Sequence, residues 1–523
     1  MARRNDTKID GLTAPEHDGT PLIVPAADTL AQLIEHNRAL KRSYTFEVCG
    51  RPATDFDGSD REPVIMTGHQ PDFLHPGVWA KNVVGGRLAA KVGGRADFLV
   101  VDSDAPQEVS LQWPHVDGDR WRVLRRVILD NSRGLPFEHL PRQSMDRWVS
   151  VLKGLPDSIR LSGEGVLPAF ESGFSRCADG ANELDYVDAW IAGMRAIDAH
   201  LGPASPTFRR VGRLFSGREE AAGQSAAFIA HAMLNAASFS AAYNASLAGY
   251  RRRRRIRGTH HPIPDLLIEG DRWELPFWVG SDVSPRQRMW VWRSGDDAIA
   301  IGSGHETFGV IPESDLRARP WAALTEGLPG RHIRPRALTL TMYARLFACD
   351  VFIHGIGGAK YDQITDDVIR RFFGVEPPAY ACVSATLHLP LPRSRPQNRD
   401  TGYWVRRLRD ARFNPQRYVD DRGAAESIRD MLTERDRAIT VSVQLGNNDR
   451  GNRAARRKAY HRIRAANEAV LVACPRILED ARRKIAETRE GVERDAIASR
   501  RDWFLGLYPT AKLRMLCETL PFA

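Results

Sequence analysis

Cysteine is scarce in this 523-residue sequence, which has six cysteines and no CxxC pair. They lie far apart, at Cys49, Cys177, Cys349, Cys382, Cys474 and Cys517. This usage excludes a disulfide framework and a cysteine-built zinc site, and it predicts reduced, mostly buried thiols. Long hydrophobic runs are missing too: no window approaches about eighteen uninterrupted apolar residues, so no membrane span is expected.

Signals for secretion and for several catalytic classes are also missing. The N-terminal residues MARRNDTKIDGLTAPEHDG lack the apolar centre of a secretory signal, which favours a short disordered lead-in and a cytoplasmic location. The sequence contains no GxSxG, no HExxH and no Walker or dinucleotide glycine spacing. His260 and His261 have no third ligand near them in the sequence, so no metal site is predicted.

Lysine is rare, with nine lysines among 75 basic residues, and the net charge is +10. The densest basic cluster is RRRRRIRG, from Arg251 to Gly258. It could hold phosphates or nucleic acid, or it could be a solvated helix end at which the helix dipole favours cations. No nucleic-acid motif accompanies it, and basic charge alone gives salt-sensitive, unspecific affinity. The helix end is therefore favoured, and nucleic acid is not the expected partner.

The apolar pattern predicts an α/β fold with a Rossmann-like parallel-sheet core. Apolar runs at Val64–Met66 and Phe98–Val101 flank a helix predicted in PGVWAKNVVGGRLAAKVGG, which together make a βαβ unit. A second α/β stretch has LFACDVFIHG as a strand, GIGGAKYD as a loop, DQITDDVIRRFFG as a helix and AYACVSATL as a strand.

The predicted organisation has four parts, because a chain of this length exceeds one compact core. They are a lead-in and helix (1–54), an α/β core (55–392) with helical (142–250) and β-hairpin (262–303) parts, a charged helical arm (393–502) and a closing segment that packs back on the core (503–523). Leu478, Ile485 and Val492 recur every seven residues, and Pro475 divides this region into two helices. A coiled-coil-like helical hairpin is therefore predicted in the arm.

The first candidate loop is GHQPDFLHPG, which follows the first core strand. Ligands of open α/β sheets bind beyond the carboxyl ends of the parallel strands. Gly68 lets the backbone approach a ligand, His69 and Gln70 can exchange hydrogen bonds, and His75 stands at the positive end of the next helix dipole. Lys81 falls on the apolar stripe of that helix, where a buried ammonium needs a partner. A substrate anion would serve, or else Lys81 snorkels or pairs with an acid such as Asp102.

Two further loops leave strand ends in the same way. The second loop, DSDAPQE, with the glutamate that ends it, offers Asp102, Asp104 and Glu108, which could bind an amino group or ribose, act as a base, or simply cap turns. The third loop contains three glycines within four residues, which are hard to explain as a plain turn. Its candidate residues are His354, Gly355, Gly357, Gly358, Lys360, Tyr361 and Asp362.

Together these loops resemble those of the BshC family, which is assigned the cysteine-adding step of bacillithiol biosynthesis. That family has a TGQQ-type loop, a Gly-Pro step and a helix bearing a lysine, then an EDHD-like acidic segment with a following glutamate. The matching residues here are Thr67, Gly68, His69, Gln70, Pro76, Gly77 and Lys81, then Asp102, Ser103, Asp104 and Glu108. Later matches are Arg334, Pro335, Arg336, Gly357, Gly358 and the FGVEPP stretch from Phe373 to Pro378. Order and spacing agree over roughly residues 55–390.

The resemblance implies a Rossmann-like core with an appended helical arm through which two copies dimerise. It also implies condensation of an amino acid, which is cysteine in that family, with the amino group of a sugar conjugate. A role for ATP or another nucleotide as cofactor is a further inference from that reaction. His69 replaces the first glutamine of the TGQQ pair, Ser103 and Asp104 stand where the acidic segment has a histidine, and the third loop gains Lys360 and Tyr361. These departures favour a relative with a different substrate.

The leading hypothesis is a cytoplasmic BshC-like ligase or transferase that binds an anionic or nucleotide-like small molecule between the three loops. His69 and His75 would polarise groups or transfer a proton, Lys81 and Lys360 would hold negative charge, and Asp104 or Glu108 would orient an amino group. One alternative is a nucleotidylyltransferase-like enzyme acting on a nucleoside triphosphate. Another is a non-enzymatic protein that binds nucleic acid or a partner through Arg251–Arg255.

Overall fold

The chain divides into two compact units in a computed structural model. The first contains Met1–Trp113, Arg125–Leu389 and Arg501–Ala523, and the second contains Pro114–Leu124 and Pro390–Arg500. The structure describes residues 9–56, 61–117, 120–140, 143–154, 165–178, 185–203, 205–216, 222–258, 260–393, 400–419, 426–448 and 452–522. The start of the predicted lead-in, residues 1–8, and residues 394–399 of the predicted arm lie outside the described residues.

The strands and helices are numbered in chain order. The strands are β1 (Thr20–Val24), β2 (Glu47–Val48), β3 (Arg51–Pro52), β4 (Val64–His69), β5 (Arg95–Val100), β6 (Glu108–Asp117), β7 (Arg120–Asp130), β8 (Thr207–Arg210), β9 (Ile268–Glu269), β10 (Arg272–Ser281), β11 (Ser284–Arg293), β12 (Ala298–Ser303), β13 (Glu306–Pro312), β14 (His332–Pro335), β15 (Val351–His354) and β16 (Ala381–Thr386). The helices of the first unit are α1 (Leu30–Arg42), α2 (Pro76–Val92), α3 (Gln143–Lys153), α4 (Leu167–Ala178), α5 (Tyr186–Leu201), α6 (Val211–Leu214), α7 (Ala222–Leu234), α8 (Ala236–Arg254), α9 (Glu313–Ala318), α10 (Pro320–Gly327), α11 (Ala337–Tyr343), α12 (Ile356–Phe372) and, near the end of the chain, Thr510–Thr519.

The first unit is a mixed α/β fold, as predicted, and its first sheet contains parallel strands. The spatial order of this sheet is β1-β16-β15-β4-β5-β8. The five strands from β16 to β8 run parallel, and β1 is antiparallel on the edge. Parallel neighbours need a crossover connection, and α2 provides it between β4 and β5. The carboxyl ends of β15, β4 and β5 therefore meet at one edge of the sheet.

Helix α2 begins and ends where the sequence predicts. His75 is the N-cap, Pro76 occupies the first turn, and Gly93 closes the helix in the left-handed conformation at φ 64°. A Cβ on Gly77 would lie 2.6 Å from the Ala385 carbonyl oxygen. Glycine at this position therefore lets the start of α2 approach β16 closely.

A second sheet is antiparallel, with order β13-β12-β11-β10-β14 and β9 paired to β10. It occupies the tryptophan-rich segment for which hairpins are predicted. The main hydrophobic core joins the two sheets through helices α7 and α8. Buried side chains from each layer meet there, among them Met66, Leu99, Phe228, Phe239, Leu275 and Val291.

One local prediction is wrong. The predicted GIGGAKYD loop is mostly helical, because α12 already begins at Ile356. The backbone N–H groups of a first helical turn need no intrahelical partner, so glycines there do not prevent a helix. Two strands were not predicted. Strand β8 is a four-residue strand inside the predicted mostly helical part 142–250, and the edge strand β1 precedes α1, where it gains ladder hydrogen bonds to β16.

Four helices make up most of the second unit: α13 (Thr401–Phe413), α14 (Glu426–Asn448), α15 (Arg453–Ala473) and α16 (Arg476–Ala498). Helix α14 packs against α15, and α13 packs against α16. The buried Arg435 donates to the Asn467 side-chain oxygen at 2.7 Å, which joins α14 to α15. None of the helices in the described part of the chain is long and apolar enough to cross a membrane.

Candidate functional site

Lys81 is the most unusual side chain at the carboxyl edge of the first sheet. It lies on α2 and is only 3% exposed. Among the described residues, its ammonium donates one hydrogen bond, to the Gly68 carbonyl oxygen at 2.9 Å. Burial lowers the Lys81 pKa from 10.5 to about 8. The lysine is therefore still charged at neutral pH, and a neutral carbonyl only partly compensates its lost hydration.

The predicted alternative, a Lys81–Asp102 pair, is wrong. The buried Asp102 carboxylate accepts from Arg210 Nε at 2.7 Å and from the Gly212 backbone N–H at 2.7 Å. Burial and then Glu138 raise the Asp102 pKa to about 6, against the opposing effect of Arg210, so the carboxylate remains mostly ionised at neutral pH. Asp102 therefore anchors the second loop to β8 and α6, and it leaves Lys81 without a carboxylate from this loop.

His69 and His75 flank the first loop as neutral imidazoles. Burial, followed by the nearby Lys81 charge, lowers the His69 pKa to about 4. Burial, followed by Arg501 and His69, lowers the His75 pKa to about 4. The His75 Nδ1 accepts from the Gly77 N–H at 3.1 Å, which caps α2 and leaves the proton on Nε2. Burial keeps both rings uncharged, so each can donate or accept a hydrogen bond.

Sequence reasoning missed Cys382 as part of this edge. The thiol is 1% exposed on β16, where its residue pairs with His354 in the strand register. Burial raises its pKa to about 11, and the positive charges of Lys81 and Lys360 oppose that rise. The charges of the two predicted lysines therefore both act on one buried thiol. A strand register of this kind cannot be read from sequence, which predicted only that Cys382 is buried.

The two remaining acids of the second loop, Asp104 and Glu108, have different partners. Gln70 donates to the Asp104 carboxylate, which also pairs with Arg286 Nη2 at 2.6 Å. Glu108 instead begins β6 and pairs with Arg125 of β7. The structure thus joins the first and second loops through Gln70 and Asp104, whereas Glu108 is held in its own hairpin.

The third loop separates into buried and open residues. His354 Nε2 lies 3.0 Å from Asp362 Oδ2, and Arg345 Nη1 lies 2.5 Å from the same oxygen. All three side chains are buried, and Arg345 and His354 hold the Asp362 pKa far below its usual range despite burial. By contrast, a Cβ on Gly355 or Gly357 would meet nothing within 4 Å. His354 and Asp362 are therefore structural partners, and free space lies at the N-terminus of α12.

Lys360 and Tyr361 lie one turn into α12. Lys360 is half-buried, whereas Tyr361 is 38% exposed. Gly358 is exposed, although a Cβ there would lie 2.9 Å from His354 Nδ1. Of the predicted third-loop residues, Gly355, Gly357, Gly358, Lys360 and Tyr361 thus remain accessible to a ligand.

The arginine cluster at the end of α8 is largely engaged within the first unit. Arg251 is 8% exposed and pairs with Asp265 at 2.7 Å. Arg253 pairs with Asp367 at 3.0 Å, and Arg254 pairs with Asp10. These pairs neutralise part of the charge that a nucleic acid would need.

A second group missed by sequence reasoning lies beside the second loop. The backbone N–H groups of Phe137 and Glu138 donate to the Asp104 and Asp102 carbonyl oxygens, each at 2.9 Å. Next to them, His139 Nε2 lies 3.4 Å from His332 Nε2. The two histidines are 193 residues apart in sequence, so no spacing signal could have joined them.

The groups at the carboxyl edge of the first sheet are thus the buried Lys81 ammonium, the neutral imidazoles of His69 and His75, the Cys382 thiol and the open N-terminus of α12. Such a set can bind an anion and accept or donate a proton next to it. No model of a known protein family matches this chain, and neither does any curated protein.

Proposed function

We propose that this protein is a BshC-like ligase or transferase that joins an amino acid or amine to a small anionic substrate or sugar conjugate. The observation that carries the proposal is the buried Lys81, whose ammonium has a backbone carbonyl partner at 2.9 Å and lies at the strand edge where α/β enzymes bind ligands. A buried cation of this kind gains its missing partner when an anionic group binds.

The neighbouring side chains suit the chemistry of condensation. An attacking amine must lose a proton, and His69 is neutral and can accept one. Asp104 is held by Gln70 and Arg286, so its carboxylate can orient an ammonium group without moving. Lys81 and Lys360 would hold the anionic group while the amine attacks.

The carboxyl edge of the first sheet also favours a nucleotide as a second substrate. The open positions at Gly355 and Gly357 leave room at the N-terminus of α12, where unpaired N–H groups and the helix dipole attract phosphate. The same observation favours the alternative of a nucleotidylyltransferase-like enzyme. Release of pyrophosphate from a nucleoside triphosphate would identify that reaction.

The same proposal extends to the architecture and the cellular context. Under it, the parallel sheet with α2 and α12 is a Rossmann-like core, and the charged helices of the second unit form an arm through which two copies dimerise in the cytoplasm. The packing of α14 against α15 supports a paired-helix arm. Light scattering of the full chain would measure the dimer.

Replacing His69 with alanine should reduce turnover by about 10²- to 10⁴-fold, which is the usual contribution of a general acid or base. Folding should be retained, because the ring's recorded hydrogen bond is to the neighbouring Gln70 carbonyl at 3.1 Å. The measurement is mass-spectrometric detection of condensed product from amino acids, an amino-sugar conjugate and ATP. His305→Gln, at an exposed turn of the second sheet, is the control. Equal product formation by His69→Ala and the control would remove His69 from the mechanism.

Replacing Gly357 with alanine should stabilise the fold and weaken ligand binding. Alanine at a compatible helical position adds about 0.4–1 kcal/mol by restricting the unfolded chain. The new methyl group would occupy space that is open in the protein, next to the helix N–H groups. Gly446→Ala is a matched control, because it lies in α14 and its Cβ also meets nothing. Denaturant titration measures the stability of each variant, and a nucleotide-binding titration measures its affinity. Equal nucleotide affinity in Gly357→Ala and Gly446→Ala would exclude ligand contact at Gly357.

A further inference from the structure

We propose that Glu138, His139 and His332 bind a divalent transition-metal ion of the zinc class. The ligand atoms of these three residues all lie within 4.8 Å of one another. Two imidazole nitrogens and a carboxylate oxygen are a common ligand set for zinc sites that keep a position open. This inference is independent of the proposed condensation reaction.

The two imidazoles have the spacing expected of two ligands on one metal ion. His139 Nε2 lies 3.4 Å from His332 Nε2, which is longer than an ordinary N–H hydrogen bond. Two nitrogens bound to one tetrahedral zinc ion at about 2.0–2.1 Å lie about 3.3 Å apart. The pair therefore has the separation that a shared metal requires without a backbone shift.

The carboxylate completes one side of the cluster. Glu138 Oε1 lies 3.9 Å from His139 Nε2. Arg334 also holds this carboxylate, with Nε at 3.0 Å from Oε1 and Nη2 at 3.0 Å from Oε2. An ionised carboxylate has about four lone-pair sites, so Oε1 can bind a metal while Arg334 fixes its orientation.

Asp282 is an exposed carboxylate next to the two histidines. It lies in the tight turn between β10 and β11, and its side chain is 84% exposed. Its Oδ1 is 3.7 Å from His139 Nε2 and 3.7 Å from His332 Nδ1. These distances are too long for hydrogen bonds, but the negative charge of this carboxylate near both rings favours binding of a cation.

Rigid supports surround the ligands. The turn that carries Glu138 and His139 is fixed by backbone hydrogen bonds to the second loop, and His332 begins β14, which pairs with β10. His332 also lines a cavity of about 190 Å³ with Phe215, Trp321 and Leu324. The cavity therefore adjoins one ligand of the proposed metal site.

Zinc titration of the full chain, after dialysis against a chelator, tests the site. We expect one Zn²⁺ per chain by isothermal titration, and the visible absorption of tetrahedral Co²⁺ when cobalt replaces zinc. His139→Gln and His332→Gln should each weaken Zn²⁺ binding by about 100-fold or more, since even the loss of an outer-shell partner typically costs 10- to 100-fold.

Two further variants separate metal binding from folding. Asp282→Asn changes an exposed side chain and cannot unfold the protein, yet it should weaken Zn²⁺ binding by about 10-fold or more. His305→Gln, in an exposed turn of the same sheet, should leave binding unchanged. Stoichiometric binding that is weakened in the three site variants and unchanged in His305→Gln supports the proposal. Absence of stoichiometric binding in the wild-type protein, or equal binding by all the variants, overturns it.

Discussion

Replacing Lys81 with methionine is expected to abolish binding of the anionic ligand and, at the same time, to make the folded protein more stable. The ammonium is 3% exposed and its pKa falls from 10.5 to about 8. Each pKa unit corresponds to about 1.4 kcal/mol, so the buried charge costs the ligand-free protein about 3 kcal/mol at pH 7. Methionine has a similar length and carries no charge, so it removes this cost.

The stability difference should depend on pH in a defined direction. A lysine whose pKa is lower in the folded state releases its proton there first, so between about pH 8 and 10.5 the unfolded chain binds more protons. Wild-type stability therefore gains from this group as the pH rises through that window. The advantage of Lys81→Met should be largest below pH 8 and should shrink toward pH 10.5.

Lys91→Met is the matched control, because Lys91 lies on the same helix and is exposed, with its ammonium 4.7 Å from the Phe522 ring centre. An exposed cation–π contact is worth about 0.5–1 kcal/mol, so this variant should be slightly destabilised. Guanidinium unfolding of both variants at pH 7 and pH 10 gives the comparison. A loss of stability in Lys81→Met at pH 7 would show that the buried ammonium has a stronger internal partner than the Gly68 carbonyl.

Replacing Arg210 with leucine should destabilise the first unit by about 3–5 kcal/mol, which is the usual cost of breaking a buried ion pair from one side. Arg210 is 6% exposed and lies 2.7 Å from both Asp102 and Asp185. Leucine would leave the Asp102 carboxylate, which is 0% exposed, with the Gly212 N–H as its remaining recorded donor. The second loop, and with it Asp104, would lose its support.

Arg213→Leu is the control for this prediction. Arg213 is 49% exposed and pairs with Asp188 at 3.0 Å, so its loss should cost less than about 1 kcal/mol. Without Arg210, the Asp102 pKa should rise further above its unfolded value of 3.8. A raised carboxyl pKa means that the penalty grows as the pH rises, so the Arg210→Leu defect should shrink near pH 5. Equal, small losses in both variants by urea unfolding at pH 7 would contradict the anchoring role of Arg210.

Local signals in the sequence were sufficient for the first βαβ unit. Proline in the first turn and Gly93 at the end set the limits of α2, and the helical stripe placed Lys81 on the buried face. Both rest on contacts within a few residues, where spacing determines geometry. The same local reasoning was wrong at GIGGAKYD, because glycine content does not distinguish a loop from the first turn of a helix.

Contacts between residues far apart in the chain could not be predicted from the sequence. Asp102 could have paired with Lys81, and only the fold brings Arg210 from β8 to it. The register of β16 places Cys382 opposite His354, and His332 meets His139 through the second sheet. A single sequence carries no signal for pairings across more than a hundred residues, because they depend on strand order and register.

Lys81 is expected to bind an anionic group of the substrate. Thermal-shift titration of wild type and Lys81→Met with nucleotides, amino acids and sugar phosphates tests it most directly. A true ligand at a hundred times its Kd should add about 2.7 kcal/mol to wild-type stability. We predict that the stabilising compound is anionic and has no effect on Lys81→Met. A compound that stabilises both proteins equally would contradict the account.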